Sequence, residues 1–353
     1  VYLYHPDIRQ ACACVVRMKK IDITDAATHF SESVVTLGNF DGFHRGHEKI
    51  VHKTREKARI RGAAAVLLTF DPHPARILAP DRAPLELTTP EEKEYFIQRS
   101  GIEYFCILAF TRALANMSAE RFISEVVRGQ CRATALVVGK NHRFGRDRAG
   151  DRAFLHRRAD TGANGLDVEV VDLEAVGTAH TISSSRLRAL VVQGDMREFT
   201  VQAGHPYLLR VQRETGKGVA RGMGYPTFNF ARPAHPKALP PAGVYAATCT
   251  YGGRCIQGAA YIGTCPTFGR RAPHIEFYAT MSQDSLPDIP PATWAHLWMW
   301  HFVRKETAFA DTMALVDRIE KDVAAITSFF KEDEVYVDYH GEEAGAGLAD
   351  GDQ

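Results

Sequence analysis

The stretch SVVTLGNFDGFHRGHEKIVHK, residues 33–53, changes its grammar in the middle. SVVTLG is a short continuous apolar run of the kind a buried strand requires, and HRGHEKIVHK alternates polar and apolar positions at helical spacing. Between them lie Gly38, which permits a tight turn, and Gly46, whose missing Cβ lets a flat ring or a phosphate approach the backbone. On the first turn of the helix His44 and His47 fall at i and i+3, on one face. A helix start already favours anions through its unpaired N–H groups and its dipole. Three readings of the pair follow: a phosphate site, a metal site, or plain helix-start histidines.

Working outward, the same alternation recurs through the first 200 residues. AAAVLLTF (63–70), IEYFCILAF (102–110) and ATALVVG (133–139) read as strands, while PEEKEYFIQRSG (90–101) and SAERFISEVVRG (118–129) read as helices. Thr89 before Pro90, with Glu92 three residues on, predicts a capping box, and Gly101 marks a left-handed helix stop. SSSRLRALVVQG adds a late helix. This is an α/β pattern, a parallel sheet covered by helices, and its ligands belong at the carboxyl ends of the strands.

After about residue 203 the pattern becomes LLRVQRETG, GVYAATCTYGG, RCIQGAAYIG, HIEFYAT and LWMWHFV, strands separated by Gly and Pro turns. They predict a small antiparallel barrel closed by one helix, in which Leu315, Ile319 and Ile326 form an apolar stripe. The division is 1–203, 204–330, and an acidic, glycine-bearing tail, 331–353, expected to be mobile.

Composition narrows the function. With 43 basic and 42 acidic side chains in 353 residues, no long-range field draws nucleic acid or an anionic membrane, so an anionic ligand must be met locally. The 7 cysteines contain no CxxC pair, which favours a reduced, cytoplasmic setting. No run of about 18 apolar residues and no signal-peptide pattern is present, so neither export nor a membrane span is expected. Small-molecule substrates are the expected partners, with the oligomeric state open.

Four segments in order resemble a known family. GNFDGFHRGH (38–47), TFDPHP (69–74), VGKNHRFG (138–145) and ISSSRLR (182–188) are similar to the GxFDGxHxGH, TFxPHP, VGxDFxFG and ISSTxxR motifs of the prokaryotic bifunctional riboflavin kinase/FMN adenylyltransferases, or FAD synthetases. The resemblance implies a Rossmann-like nucleotidyltransferase domain followed by a six-stranded riboflavin kinase barrel. It assigns Gly38, Phe40, Asp41, His44, Gly46, His47, Ser184, Ser185 and Arg188 to ATP and its phosphates, with the two histidines catalytic, and Asn141 and His73 to the flavin. His142 stands where the family carries Phe.

GKGVARGMGYPTFN, residues 216–229, is glycine-rich but lacks the GK[ST] end of a Walker loop. It resembles the kinase loop that ends in PTAN, with Phe228 replacing Ala and with Val219 and Ala220 where Arg and Gly are frequent. By that likeness Gly216, Gly218, Gly224 and Thr227 bind ATP, and Thr227 and Asn229 ligate Mg2+. Glu276 in HIEFYAT becomes the general base toward the riboflavin hydroxyl, and Arg304 lies near the flavin. The activity implied is phosphorylation of riboflavin to FMN and adenylylation of FMN to FAD, each with ATP and Mg2+. Two alternatives stand beside it. One is a metal-dependent hydrolase using Asp41, His44, His47 and His73, and the other is a flavin-binding regulator without turnover.

Overall fold

The computed structural model describes residues 18–159, 165–172, 182–215, 227–264, 274–280 and 289–332. Two compact units part between Arg186 and Leu187.

The first unit is a parallel sheet of β1 (Lys19–Asp22), β2 (Ser33–Leu37), β3 (Ala64–Asp71), β4 (Tyr104–Ala109), β5 (Ala133–Gly139) and β6 (Asp167–Val171). Their order across the sheet is β1-β4-β3-β2-β5-β6. All five residues of β2 are buried, as its unbroken apolar run requires of a central strand covered on both faces. The helices are α1 (Ala26–His29), α2 (Arg45–Arg61), α3 (Pro74–Leu78), α4 (Pro90–Arg99), α5 (Arg112–Ala115), α6 (Ala119–Arg121), continued by a π-helical segment Phe122–Gln130, and α7 (Arg152–Ala159). Val35, Leu37, Val66, Leu68, Leu136 and Val138 pack with Phe122, Ile123 and Val127 into the core on one face of the sheet. β2 is followed on one side by β3 and on the other by β5, so the direction of winding reverses there. In such a sheet the crevice opens beyond the carboxyl ends of those strands.

α4 begins as the sequence predicts. Thr89 Oγ1 accepts from Glu92 N at 3.2 Å and Thr89 N donates to Glu92 Oε2 at 2.9 Å, a reciprocal cap. It ends at Gly101, whose φ of +71° is the left-handed stop.

α8 (Ser184–Gln193) crosses the boundary, and α9 (Met196–Ala203) belongs to the second unit. There β7 (Tyr207–Glu214), β8 (Thr227–Phe230), β9 (Gly243–Tyr251), β10 (Arg254–Gly263), β11 (His274–Ala279) and β12 (Trp294–Lys305) close a six-stranded antiparallel barrel. The order β10-β11-β8-β7-β12-β9 returns to β10. Phe228, Phe230, Ile275 and Phe277 are buried, so alternate residues of β8 and β11 fill the interior and their neighbours face outward.

α10 (Thr312–Glu332) packs against β9, β10 and β12. Its stripe has a polar centre: between Ile319 and Ile326 lies Asp322, whose side chain is fully buried. Arg304 Nε donates to both carboxylate oxygens of Asp322, at 3.0 and 2.8 Å, and Arg318 Nε donates at 3.1 Å. Lys331 and Glu332 close the helix, and residues 333–353 of the acidic tail lie outside the described residues. Among the described residues no helix is long and apolar enough to cross a membrane.

Candidate functional site

The turn after β2 is where the backbone departs most from ordinary conformations. Phe40, Gly42 and Phe43 have φ of +47°, +78° and +29°. Such strain persists only where the surroundings enforce it. Gly42 cannot be replaced without conflict, since a Cβ there would stand 2.6 Å from Leu87 Cδ1. Gly38 has a φ outside the left-handed region, and the positive-φ positions of the tight turn are Phe40, Gly42 and Phe43.

Asp41 holds this loop. Its buried Oδ1 accepts from Leu87 N at 2.8 Å, Thr88 N at 3.0 Å and Thr88 Oγ1 at 3.1 Å, and Gly42 N donates to Thr88 Oγ1 at 3.2 Å. Ser184 Oγ donates to the Asp41 carbonyl at 2.8 Å. The starts of α2 and α8 are thereby brought to one loop, and both dipoles present their positive ends there.

His44 is the N-cap of α2, buried, and His47 lies one turn on, with the rings stacked at 3.7 Å and 15°. Phe40 backs His47 at a centroid distance of 5.1 Å, and Gly46 is buried between the two histidines in sequence. Burial, then the charges of His44 and Lys93, hold the His47 pKa well below the usual 6.5. At neutral pH it is an uncharged donor and acceptor. Its Nδ1 is buried with no hydrogen-bond partner among the described residues.

His73 follows β3 and caps α3, its Nδ1 accepting from Ala75 N at 3.2 Å, while the Asn39 amide lies 3.2 Å from Nε2. A neutral ring that accepts at Nδ1 carries its proton on Nε2, so Asn39 must turn its oxygen to it. Asp41 and His73 are therefore occupied within the protein. Among the described residues no group of three or more His, Cys, Asp or Glu is placed to hold a metal, so the D-x-x-H-x-x-H spacing does not assemble the ligand set that the hydrolase alternative needs.

After β5, Asn141 lines a cleft of about 550 Å³ with Lys140, His142, Arg148, Asp151 and Arg152. His142 stacks on Phe144 at 5.9 Å and 22°. Burial, and then Arg148, lower its pKa to about 4, so the imidazole is neutral and replaces the family's phenyl ring as a flat stacking surface. Ser185 is on the first turn of α8, and Arg188 one turn further, beyond the division between the units.

The barrel holds the second set. Glu276 on β11 is directly opposite Asn229 on β8, and Thr227 is opposite Tyr278. Since i and i+2 share a face, Thr227, Asn229 and Glu276 line one outward strip of two adjacent strands. His274, on the same face, places Nε2 at 3.0 Å from Glu276 Oε1. The residue pattern had not singled out this imidazole, whose signal was its i−2 spacing. Arg304 is clasped by Asp322 as described. Gly216, Gly218 and Gly224 lie outside the described residues.

Two family models match the chain, FAD synthetase over residues 26–186 and Riboflavin kinase over 203–330. Among curated relatives, the bifunctional riboflavin kinase/FMN adenylyltransferase of Pseudomonas fluorescens is 30% identical, covering 83% of this chain and 91% of its own. Those of Escherichia coli K12 and Bacillus subtilis are each 29% identical, covering 84% and 89% of this chain and 92% and 98% of theirs. A solved Streptococcus pneumoniae structure, described as a macrolide-efflux protein, has 25% identity and a TM-score of 0.74, covering 87% of this chain and 98% of that one.

Proposed function

The chain belongs to the bifunctional riboflavin kinase/FMN adenylyltransferase family, and from that premise we propose how its two units divide the work. The protein phosphorylates riboflavin to FMN and adenylylates FMN to FAD. The first step belongs to the barrel and the second to the α/β unit. What carries this reading is the presence of both domains in one chain, each with its own polar strip or loop in register.

In the α/β unit an oxygen of the FMN phosphate attacks the α-phosphorus of ATP in line and pyrophosphate leaves, with no covalent enzyme intermediate. Catalysis is then positioning and charge stabilisation. His44 and His47, stacked at the mouth of α2, donate N–H bonds to the ATP phosphates as charge develops. Ser185 meets them from the first turn of α8, while Ser184 and Asp41 fix the loop. Gly46 leaves room for close approach, and Phe40 supports the His47 ring. Asn141 and His73 face the flavin from the ends of β5 and β3.

In the barrel Glu276 accepts the proton of the riboflavin 5′-hydroxyl as its oxygen attacks the γ-phosphorus. The hydroxyl of Thr227 and the amide oxygen of Asn229 are hard donors suited to Mg2+, which when bound neutralises phosphate charge. Arg304 stands near the flavin. The setting is cytoplasmic.

Incubating the protein with riboflavin, ATP and Mg2+ is expected to yield FMN and then FAD by chromatography. Folded protein that forms neither product, while binding flavin tightly, would establish the regulator instead.

A further inference from the structure

The α/β unit contains a cation that none of its four motifs includes. Lys93, one turn into α4, is only 6% exposed. Among the described residues its ammonium makes neither an ion pair nor a hydrogen bond. Its helix is fastened to the histidine loop from two directions. Leu87 and Thr88, which lead into its cap, bind Asp41, and Phe96, at i+3 from Lys93, stacks on Phe43 at 6.0 Å and 8°. The lysine is thus held against the loop that presents His44 and His47, near enough for its charge to be felt by His47.

The groups around it do not account for it. Asp41, Glu86 and Asp71 lie within electrostatic range, yet Asp41 Oδ1 is committed to Leu87 and Thr88, and Glu86 is paired with Arg76 at 2.9 Å. Asp71 is exposed. A lysine side chain so largely buried, with no close anion for its ammonium among the described residues, is held there at a cost. Burial lowers its pKa, and the three carboxylates oppose that shift. The His47 imidazole beside it is neutral, so that ring brings no fixed positive charge to a polyanion.

We propose that Lys93 is a catalytic residue of adenylyl transfer, whose ammonium meets the ATP phosphate chain and supplies a permanent positive charge there. The proposal rests on reading this unit as the adenylyltransferase. The FMN phosphate oxygen forms a bond to the α-phosphorus, the bond to the bridging oxygen breaks, and the electron pair leaves with pyrophosphate. Lys93 stabilises that departing charge and transfers no proton. The rival role is neutralisation of Asp41, Glu86 and Asp71.

Lys93→Met in the full chain separates the two, because it keeps the length and removes the charge. FAD formation from FMN should fall roughly 100-fold in kcat/KM for ATP, with riboflavin phosphorylation unchanged. The thermal midpoint of the α/β unit should hold or rise, and Lys93→Arg should recover part of the activity. The His47 imidazole, followed by NMR, should titrate higher in Lys93→Met; His44, whose charge also reaches it, and Asp41, Glu86 and Asp71, which act on Lys93, with Arg76 paired to Glu86, are unchanged. A lowered midpoint, failure to fold, or FAD formation within about threefold of wild type would overturn the proposal. Wild-type protein that forms FMN but no FAD would instead remove the adenylyltransferase reading beneath it.

Discussion

The residues proposed to meet ATP in the α/β unit come from the end of β2, the start of α2 and the start of α8, far apart in sequence and joined through Asp41. Those in the barrel come from two neighbouring strands, and one register, Glu276 opposite Asn229, sets them all. The first is a convergence of loops, held by buried hydrogen bonds and a strained turn. The second is a strip of strand surface, held by the ladder itself. A convergent site can be loosened by a residue that never touches ligand, whereas a strip fails mainly through the side chains on it.

The sharpest break is a crossed pair of substitutions. Glu276→Ala should lower FMN formation by about 10²- to 10⁴-fold and leave FAD formation from supplied FMN intact. His47→Ala should do the reverse, by about 10²- to 10³-fold. Both are read by product chromatography from separate substrates, and loss of both activities in either variant would contradict independent sites.

A smaller effect tests the convergence. Asp41→Ala leaves Leu87 N, Thr88 N and the Thr88 hydroxyl without their buried acceptor, which should cost about 3 kcal/mol in urea unfolding of the α/β unit. FAD formation should fall with it while riboflavin phosphorylation persists. An unchanged unfolding midpoint would show that the loop holds itself.

The smallest concerns acid. His142 is neutral in the fold with a pKa of about 4 against an ordinary 6.5. As pH falls from 6.5 toward 4 the unfolded chain takes up a proton that the folded chain does not, so stability is lost across that window and levels off below it. His142→Phe should reduce this loss between pH 6.5 and 4, measured as urea midpoints at each pH. His47, shifted in the same direction, leaves part of the acid sensitivity in place. Equal slopes in variant and wild type would show that His142 is protonated in the fold.

Where periodicity and capping speak locally, the sequence was readable. The strand-turn-helix of residues 33–53, the Thr89 cap and the Gly101 stop stand where their patterns place them. β8 was not legible: TFNF is four residues long, follows Pro226, and reads as the end of a glycine loop. Asp41 looked like a ligand because spacing cannot show that backbone N–H groups 46 residues away claim its carboxylate. Lys93 sits in PEEKEYF among residues that look solvated, and only the approach of α4 to the histidine loop buries it. Asp322 was hidden for the opposite reason, since helical periodicity assigns it to the stripe but cannot supply Arg304 from β12.

That aspartate has a bearing on how the barrel is closed. A helix seated on apolar side chains alone can roll or slide by part of a turn at small cost, because one greasy contact replaces another. With a carboxylate sunk in its seat and a guanidinium waiting on β12, any such movement would strand both ions away from water. α10 therefore has a single angular setting on the barrel, keyed by charge and not by fit.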